Sequence, residues 1–346
     1  MSKVQSHSIH QNLNLAINAT ITGTGLSTGS RKILNSYFDE LYQKDISTFL
    51  KEKRNIHQRY FMDETQSTSD LAIEAAEKAL KKAGLKPENI NLVIVATDTP
   101  DYISPSTASV VQYKLGAKNA GVFDLNTACA GFVTALDVAQ KYIQSDTAYN
   151  HILVIGAYGM SRFLNWDDYK IASMFADGAG AVVVSRTEDK GILASELFAD
   201  GQYFDYMGVY VGGAAMPITH DRIEKKEHLL NFAKKIPLET NAIQWPRLTN
   251  NLLDRIHKTP EDINHFFLTQ LNLDTINAAL DSLSIDRTKS HNVMDQFGYT
   301  GSACIPMAIA DADSKHILKK GDLVFMLGSG GGMSMAALAM TWGYDS

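Results

Sequence analysis

Short uninterrupted apolar runs alternate along the chain with longer stretches in which apolar residues recur every three to four positions. That pattern predicts buried strands separated by amphipathic helices. Asn18 to Gly25 predicts a first strand ending in glycine. Leu71, Ala75, Ala79 and Leu80 place a helix over Ser67 to Ala83, with Ser67 or Ser69 as its cap and Gly84 just past its end. Leu92 to Ala96 reads as a buried strand, and Ser104-Pro105 as the N-cap and first residue of a helix running to Leu115. Val122 to Leu125 is the next strand, after which Phe132, Leu136, Ala139 and Ile143 share one helical face. Ile152 to Ile155 and Ala181 to Val184 add two more strands. Between about Asp200 and Thr240 the periodicity weakens and Gly, Tyr, Met and charged residues take over, which predicts an inserted active-site region. Beyond it the spacing predicts helices near Trp245 to Ile256, Leu273 to Leu283 and Ile305 to Ile317. Strands follow the same rule at His265 to Leu268, Leu323 to Leu327 and, after the glycine turn Gly328 to Met333, Met335 to Thr341. Such alternation is the signature of an α/β fold.

A chain of 346 residues exceeds what one core comfortably fills, so two halves are expected, 1–190 and 191–346, with similar element order and no obvious sequence identity. Apolar content of 45% and charged content of 20% are those of a globular protein, and no apolar run is long enough to cross a bilayer. The polar opening Met1 to Gln11 carries no apolar core or cleavage pattern of an export signal. Two cysteines give no disulfide framework and no Cys/His cluster has zinc spacing, so no metal is expected and a reducing cytoplasm fits. A net charge of −6 argues against nucleic acid as partner. An anionic ligand must then be met locally, by Lys51, Lys53, Arg54 and Arg59 or by Lys225 and Lys226, unless these are simply solvated surface.

Chemistry concentrates at Cys129. In Phe123-Asp124-Leu125-Asn126-Thr127-Ala128-Cys129-Ala130-Gly131-Phe132 an apolar strand breaks into small residues and then into a helix. A thiol on such a turn lies at the positive end of the helix, which favours thiolate, and Ala128, Ala130 and Gly131 leave room for a carbonyl to approach it. The alternative is a buried structural cysteine. Gly328-Ser329-Gly330-Gly331-Gly332-Met333 is not a dinucleotide fingerprint, because it leads into a strand rather than a helix. Glycines there let one stretch of backbone press closely on another, and such a turn could offer a second N–H to a developing oxyanion.

Three motifs occur in order: Thr127-Ala128-Cys129-Ala130-Gly131-Phe132, Phe175-Ala176-Asp177-Gly178-Ala179-Gly180-Ala181 and Gly330-Gly331-Gly332. With these the chain resembles, over nearly its whole length, the thiolase-fold condensing enzymes of the β-ketoacyl-acyl-carrier-protein synthase III group. The resemblance implies a five-layered αβαβα fold of two similar halves with Cys129 at their junction. It implies that Cys129 takes an acyl group as a thioester from acyl-CoA or an acyl carrier protein, with the N–H groups of Cys129 and Gly331 as the oxyanion hole. It places Phe49 and Tyr169 around the adenine of coenzyme A and Lys53 near its phosphates, although packing accounts equally well for each. No cofactor is implied beyond the coenzyme A or phosphopantetheine thioester that is itself substrate. A homodimer, or a heterodimer with a related subunit, is implied, with the loop near Ile103 and Ser104 approaching the neighbour's acyl pocket.

Two departures matter most. Decarboxylating members of the group present His in His-Gln-Ala-Asn and Asn in Gly-Asn-Thr, whereas this chain reads Thr269-Gln270-Leu271-Asn272 and Gly298-Tyr299-Thr300. Thr269 and Tyr299 each keep an O–H donor, but neither can act as an imidazole. Loss of one oxyanion donor costs about 10²- to 10³-fold in rate, so malonyl decarboxylation should be nearly silent while loading of Cys129 survives. The expected function is an acyltransferase or condensing enzyme of specialised lipid or secondary metabolism. The alternatives are non-decarboxylative acyl transfer to an O, N or S acceptor, or a catalytically weak partner subunit of a related synthase. His220, His265 and His291 are candidate substitute bases that also read as surface or packing residues.

Overall fold

The structure, a computed structural model, describes residues 17–237 and 239–345; the polar opening Met1 to Gln11 lies outside them. The strands are β1 (Asn18–Thr28), β2 (Arg31–Leu34), β3 (Gln58–Phe61), β4 (Leu92–Ala96), β5 (Gly121–Leu125), β6 (His151–Gly159), β7 (Asp177–Thr187), β8 (Ile192–Ala199), β9 (His265–Leu268), β10 (Leu323–Gly330) and β11 (Ser334–Thr341). The helices are α1 (Asn35–Tyr42), α2 (Ser47–Arg54), α3 (Thr68–Ala83), α4 (Thr107–Leu115), α5 (Gly131–Ser145) and the single turn α6 (Tyr169–Ala172). They continue as α7 (His220–Glu224), α8 (Thr240–Ile256), α9 (Leu273–Ser282), α10 (Met294–Phe297) and α11 (Cys304–Ser314).

Two sheets carry the fold, and their strand orders repeat. The first runs β1-β7-β6-β4-β5 and the second β8-β11-β10-β9. In each, the first strand pairs antiparallel with the last, the last pairs antiparallel with the strand before it, and that strand pairs parallel with an earlier one. Only β5, the edge strand that leads to Cys129, has no counterpart in the second sheet. Helices α5 and α11 lie between the sheets; α3 covers the outer face of the first and α8 that of the second. The order of layers is therefore αβαβα. Phe132, Leu136, Ala139 and Ile143 on α5 are all fully buried, which is why this central helix is apolar over most of its circumference.

Helix α4 starts later than Ser104-Pro105 suggests. Ser106 is its cap, accepting from the Ser109 N–H at 3.2 Å. Asp124 on β5 takes the N–H groups of Thr107 and Ala108 at 2.6 and 2.7 Å, so a carboxylate from a distant strand fixes the helix start. The region from Asp200 to Thr240 holds only short helical turns, and it closes over the groove between the sheets.

Candidate active site

Strands β4 and β5 are parallel neighbours with Ala96 opposite Leu125, and the Thr97 N–H donates to the Leu125 carbonyl at 3.1 Å. The chain leaving β5 turns sharply. Asn126 Oδ1 accepts the Ala128 N–H at 3.0 Å, and Ala128 takes a φ of 47°, a left-handed value uncommon for a residue with a side chain. Cys129 follows, two residues before the first residue of α5, with Ala130 at the cap position. From the second sheet, the end of β10 presses onto this turn: a Cβ on Gly330 would lie 2.6 Å from the Cys129 nitrogen, and one on Gly328 2.7 Å from the Ala130 Cα. Only glycine permits that approach.

Cys129 lines a cavity of about 1080 Å³ whose wall also includes Thr269, Tyr299 and Gly331. Four positions marked in the sequence therefore converge, from the β5–α5 turn, the end of β9, the loop before α11 and the glycine turn after β10. Tyr299 is held by its backbone: its N–H donates to the Met174 carbonyl at 3.2 Å, and its carbonyl accepts from Ala176 at 2.9 Å. That pairing ties the Phe175-to-Ala181 motif to the site, while Asp177 in the same motif accepts the N–H groups of Met62 and Ser161, each at 2.8 Å. Gly298, at a φ of 71°, has the Arg59 Cβ 2.9 Å from where its own Cβ would be, so the residue before Tyr299 has no room for a side chain.

The two hydroxyls differ in what they reach. The Tyr299 hydroxyl lies close enough to the Cys129 sulfur to favour its thiolate. Thr269 Oγ1 accepts the Ser329 N–H at 2.8 Å and leans toward the Ser329 carbonyl at 3.4 Å, so it braces the β10 end against β9.

Helix position does not decide the charge of the thiol. Burial pushes Cys129 well above the ordinary thiol value and the negative charge of Asp98 adds to it, against the Tyr299 O–H and the cysteine's own N–H. The expected increase in thiolate from the helix end is therefore not what prevails: desolvation outweighs it and favours the thiol.

The histidines do not substitute for the missing imidazole. His265 bonds Asp322 at 3.1 Å, His291 bonds Asp311 at 2.7 Å, His220 is exposed on α7, and none of the three lines the cavity. Nor do Phe49, Lys53 and Tyr169 line it. Lys53 points to solvent. Phe49 sits on the outer face of α2 with the Arg54 guanidinium 5.6 Å from its ring centre, and Tyr169 receives a hydrogen bond from Lys44 at 2.7 Å. Their neighbours Arg54, Asp168 and Lys170 line the cavity instead, joined by Lys234 and Lys235 from the inserted region.

Asp98 is the residue the sequence reading passed over. It follows β4 directly, lines the cavity with Cys129, and its Oδ1 is shut off from solvent with no hydrogen-bond partner. Burial pushes its carboxyl up to about 6. The signal available in the sequence was position: an acidic residue just past the carboxyl end of a parallel strand, where ligands of α/β sheets gather.

Comparison with known proteins agrees with this architecture. Residues 123–201 match the family model for 3-oxoacyl-[acyl-carrier-protein (ACP)] synthase III, and residues 253–342 match the model for its C-terminal part. The chain is 37% identical to the β-ketoacyl-[acyl-carrier-protein] synthase III of Caldanaerobacter subterraneus subsp. tengcongensis, over 94% of this chain and 98% of that one. It is also 37% identical to the enzyme of that name from Clostridium perfringens strain SM101, over 92% and 98%. The crystal structure of 3-oxoacyl-[acyl-carrier-protein] synthase III from Aquifex aeolicus superposes with a TM-score of 0.82 at 30% identity, covering 94% of this chain and all of that one. A cysteine turn clamped by glycines, two sheets of repeated strand order and this similarity along almost the full length lead to one assignment: the chain belongs to the β-ketoacyl-acyl-carrier-protein synthase III family of thiolase-fold condensing enzymes.

Proposed function

We propose that Cys129 takes an acyl group from acyl-CoA or an acyl carrier protein as a thioester and passes it to a second substrate in specialised lipid or secondary metabolism, without the imidazole-assisted decarboxylation of malonyl thioesters. The observation that carries this reading is the contrast at the sulfur: a cavity-lining thiol beside the Tyr299 hydroxyl, facing a second wall with no histidine among the described residues. When the thiolate forms in the loading step, the Tyr299 O–H becomes a charge-assisted donor to it, an interaction about twice as strong as a neutral one. As the thioester carbonyl is attacked, the N–H groups of Cys129 and Gly331 would hold its oxygen.

Donor chemistry follows from the mouth. Arg54, Lys170, Lys234 and Lys235 line the cavity with Asp168, Lys234 being paired with Asp205, and leave a local positive excess suited to the phosphates of coenzyme A or of a phosphopantetheine arm. Partner chemistry follows from the edge: β5 is half-exposed along most of its length and unpaired on one side, with Tyr102, Ile103 and Tyr113 exposed nearby. An open edge beside exposed apolar side chains suits pairing with a second copy or a related subunit. Incubation with a panel of acyl-CoA and acyl-carrier-protein thioesters, read by intact mass, tests the reading. A mass gain equal to the acyl group and absent in Cys129→Ala supports it, and no gain with any donor rejects it.

A further inference from the structure

Asp98 has one carboxylate oxygen, Oδ1, without a partner. Its neighbours are fixed: the Thr99 N–H donates to Thr97 Oγ1 at 3.0 Å, the Gly159 N–H donates to Thr99 Oγ1 at 2.8 Å, and Thr68 Oγ1 donates to the Thr99 carbonyl at 2.7 Å. Between these anchors Asp98 Oδ1 meets no donor among the described residues. An unsatisfied buried polar atom is costly, and a catalytic role is one reason for keeping it. Cys129, from the neighbouring strand's turn, and Tyr158, on β6, both feel its charge. A second unsatisfied group lines the same cavity: Trp245 on α8, whose Nε1–H is buried without an acceptor. With Arg54 Nε, also buried without an acceptor on a residue lining the cavity, one free acceptor and two free donors call for a polar, proton-bearing ligand.

We propose that Asp98 accepts the proton of an O–H or N–H acceptor as that acceptor attacks the acyl group carried by Cys129. The C–O or C–N bond forms, the C–S bond breaks, the acceptor's proton passes to the Asp98 carboxylate, and the same proton then goes to the departing Cys129 thiolate. Acyl-Cys129 plus H–X gives acyl–X plus the free thiol, with no change of oxidation state. Asp98 supplies the base that Thr269 cannot, from the opposite wall. The proposal rests on the acyl-Cys129 reading and names its acceptor class: a hydroxyl or an amine. It also accounts for a carboxylate placed where it opposes ionisation of the free thiol, because the thioester is uncharged and the opposition vanishes once the cysteine is loaded.

Opposite signs in one variant test it. Wild type, Asp98→Asn and Asp98→Glu are compared for the rate of Cys129 alkylation by iodoacetamide, for acyl loading, and for release of the acyl group to water and to ethanolamine, all by intact mass. In Asp98→Asn the lost negative charge should speed alkylation about threefold or more. Loading should be kept, and release should slow by about 10²-fold or more. Asp98→Glu should recover part of the release. Release by Asp98→Asn within threefold of wild type overturns the proposal, and so does slowing of alkylation and release together, which would make Asp98 a structural prop or the base of the thiol. Failure of wild type to take any acyl group defeats the acyl-Cys129 reading itself and is seen before release is measured.

Discussion

The two sheets meet the cavity with different equipment. From the first come a left-handed Ala128, small residues around Cys129 and a carboxylate at Asp98. From the second come Thr269, Tyr299 and a glycine turn. The glycine turn serves the thiol, since Gly328 and Gly330 fit against the Cys129 turn at distances that exclude any side chain. Thr269 does not serve a substrate in the same sense, because its hydroxyl is occupied by the Ser329 backbone. On the proposed reading the groups for loading come from both sheets, while the second sheet brings no histidine to the cavity among the described residues. A family fold can retain one half-reaction and change the other, because the two are built from different strand ends.

Substitutions on either wall should separate the half-reactions. Gly330→Ala brings a methyl group to 2.6 Å from the Cys129 nitrogen and 2.7 Å from the Thr127 oxygen, both backbone atoms that cannot turn aside. Loading measured by intact mass should fall by about 10³-fold, the upper range for a lost oxyanion donor. At Gly331 the nearest atom is 3.3 Å away, so Gly331→Ala should cost much less. On the second wall, Thr269→His with Tyr299→Asn should add malonyl decarboxylation of about 10²-fold over wild type, read as carbon dioxide release. An unchanged rate would count against the reading of those two positions.

Tyr299→Phe removes the hydroxyl that favours the Cys129 thiolate. A hydrogen bond to a charged group contributes about 1.5–3 kcal/mol, so iodoacetamide alkylation of Cys129 at fixed pH should slow by at least about 10-fold. The pH profile of that alkylation gives the finest test. Burial and the Asp98 charge raise the thiol, so the thiolate fraction at neutral pH is small and grows as pH rises. The rate should still be climbing past the ordinary thiol value of 9.0, where an exposed cysteine has begun to level off. A plateau below that point would contradict the assignment of a resting thiol.

Much of this was legible in the chain. The strand-to-helix break around Cys129 and the run Gly328 to Met333 were visible because small residues and glycines have few other reasons to cluster beside apolar runs. Thr269 and Tyr299 were legible as departures from a pattern. What stayed hidden depends on contacts distant in sequence. The thiol's charge state is set by burial beneath both sheets, which outweighs a local helix end. The start of α4 is set by Asp124, seventeen positions from Thr107. Arg54 rather than Lys53 lines the cavity because neighbouring residues on a helix face about 100° apart, a difference that a basic cluster in sequence does not resolve. Asp98 carried no motif; its meaning comes from β4 and β5 ending side by side.

A time course of the mass of Cys129, first with an acyl-CoA and then with malonyl-CoA added, addresses both half-reactions at once. The prediction is an acyl adduct on Cys129 that persists after malonyl-CoA is supplied, without release of carbon dioxide. Absence of the adduct, or its discharge with carbon dioxide and a β-keto product, would contradict it.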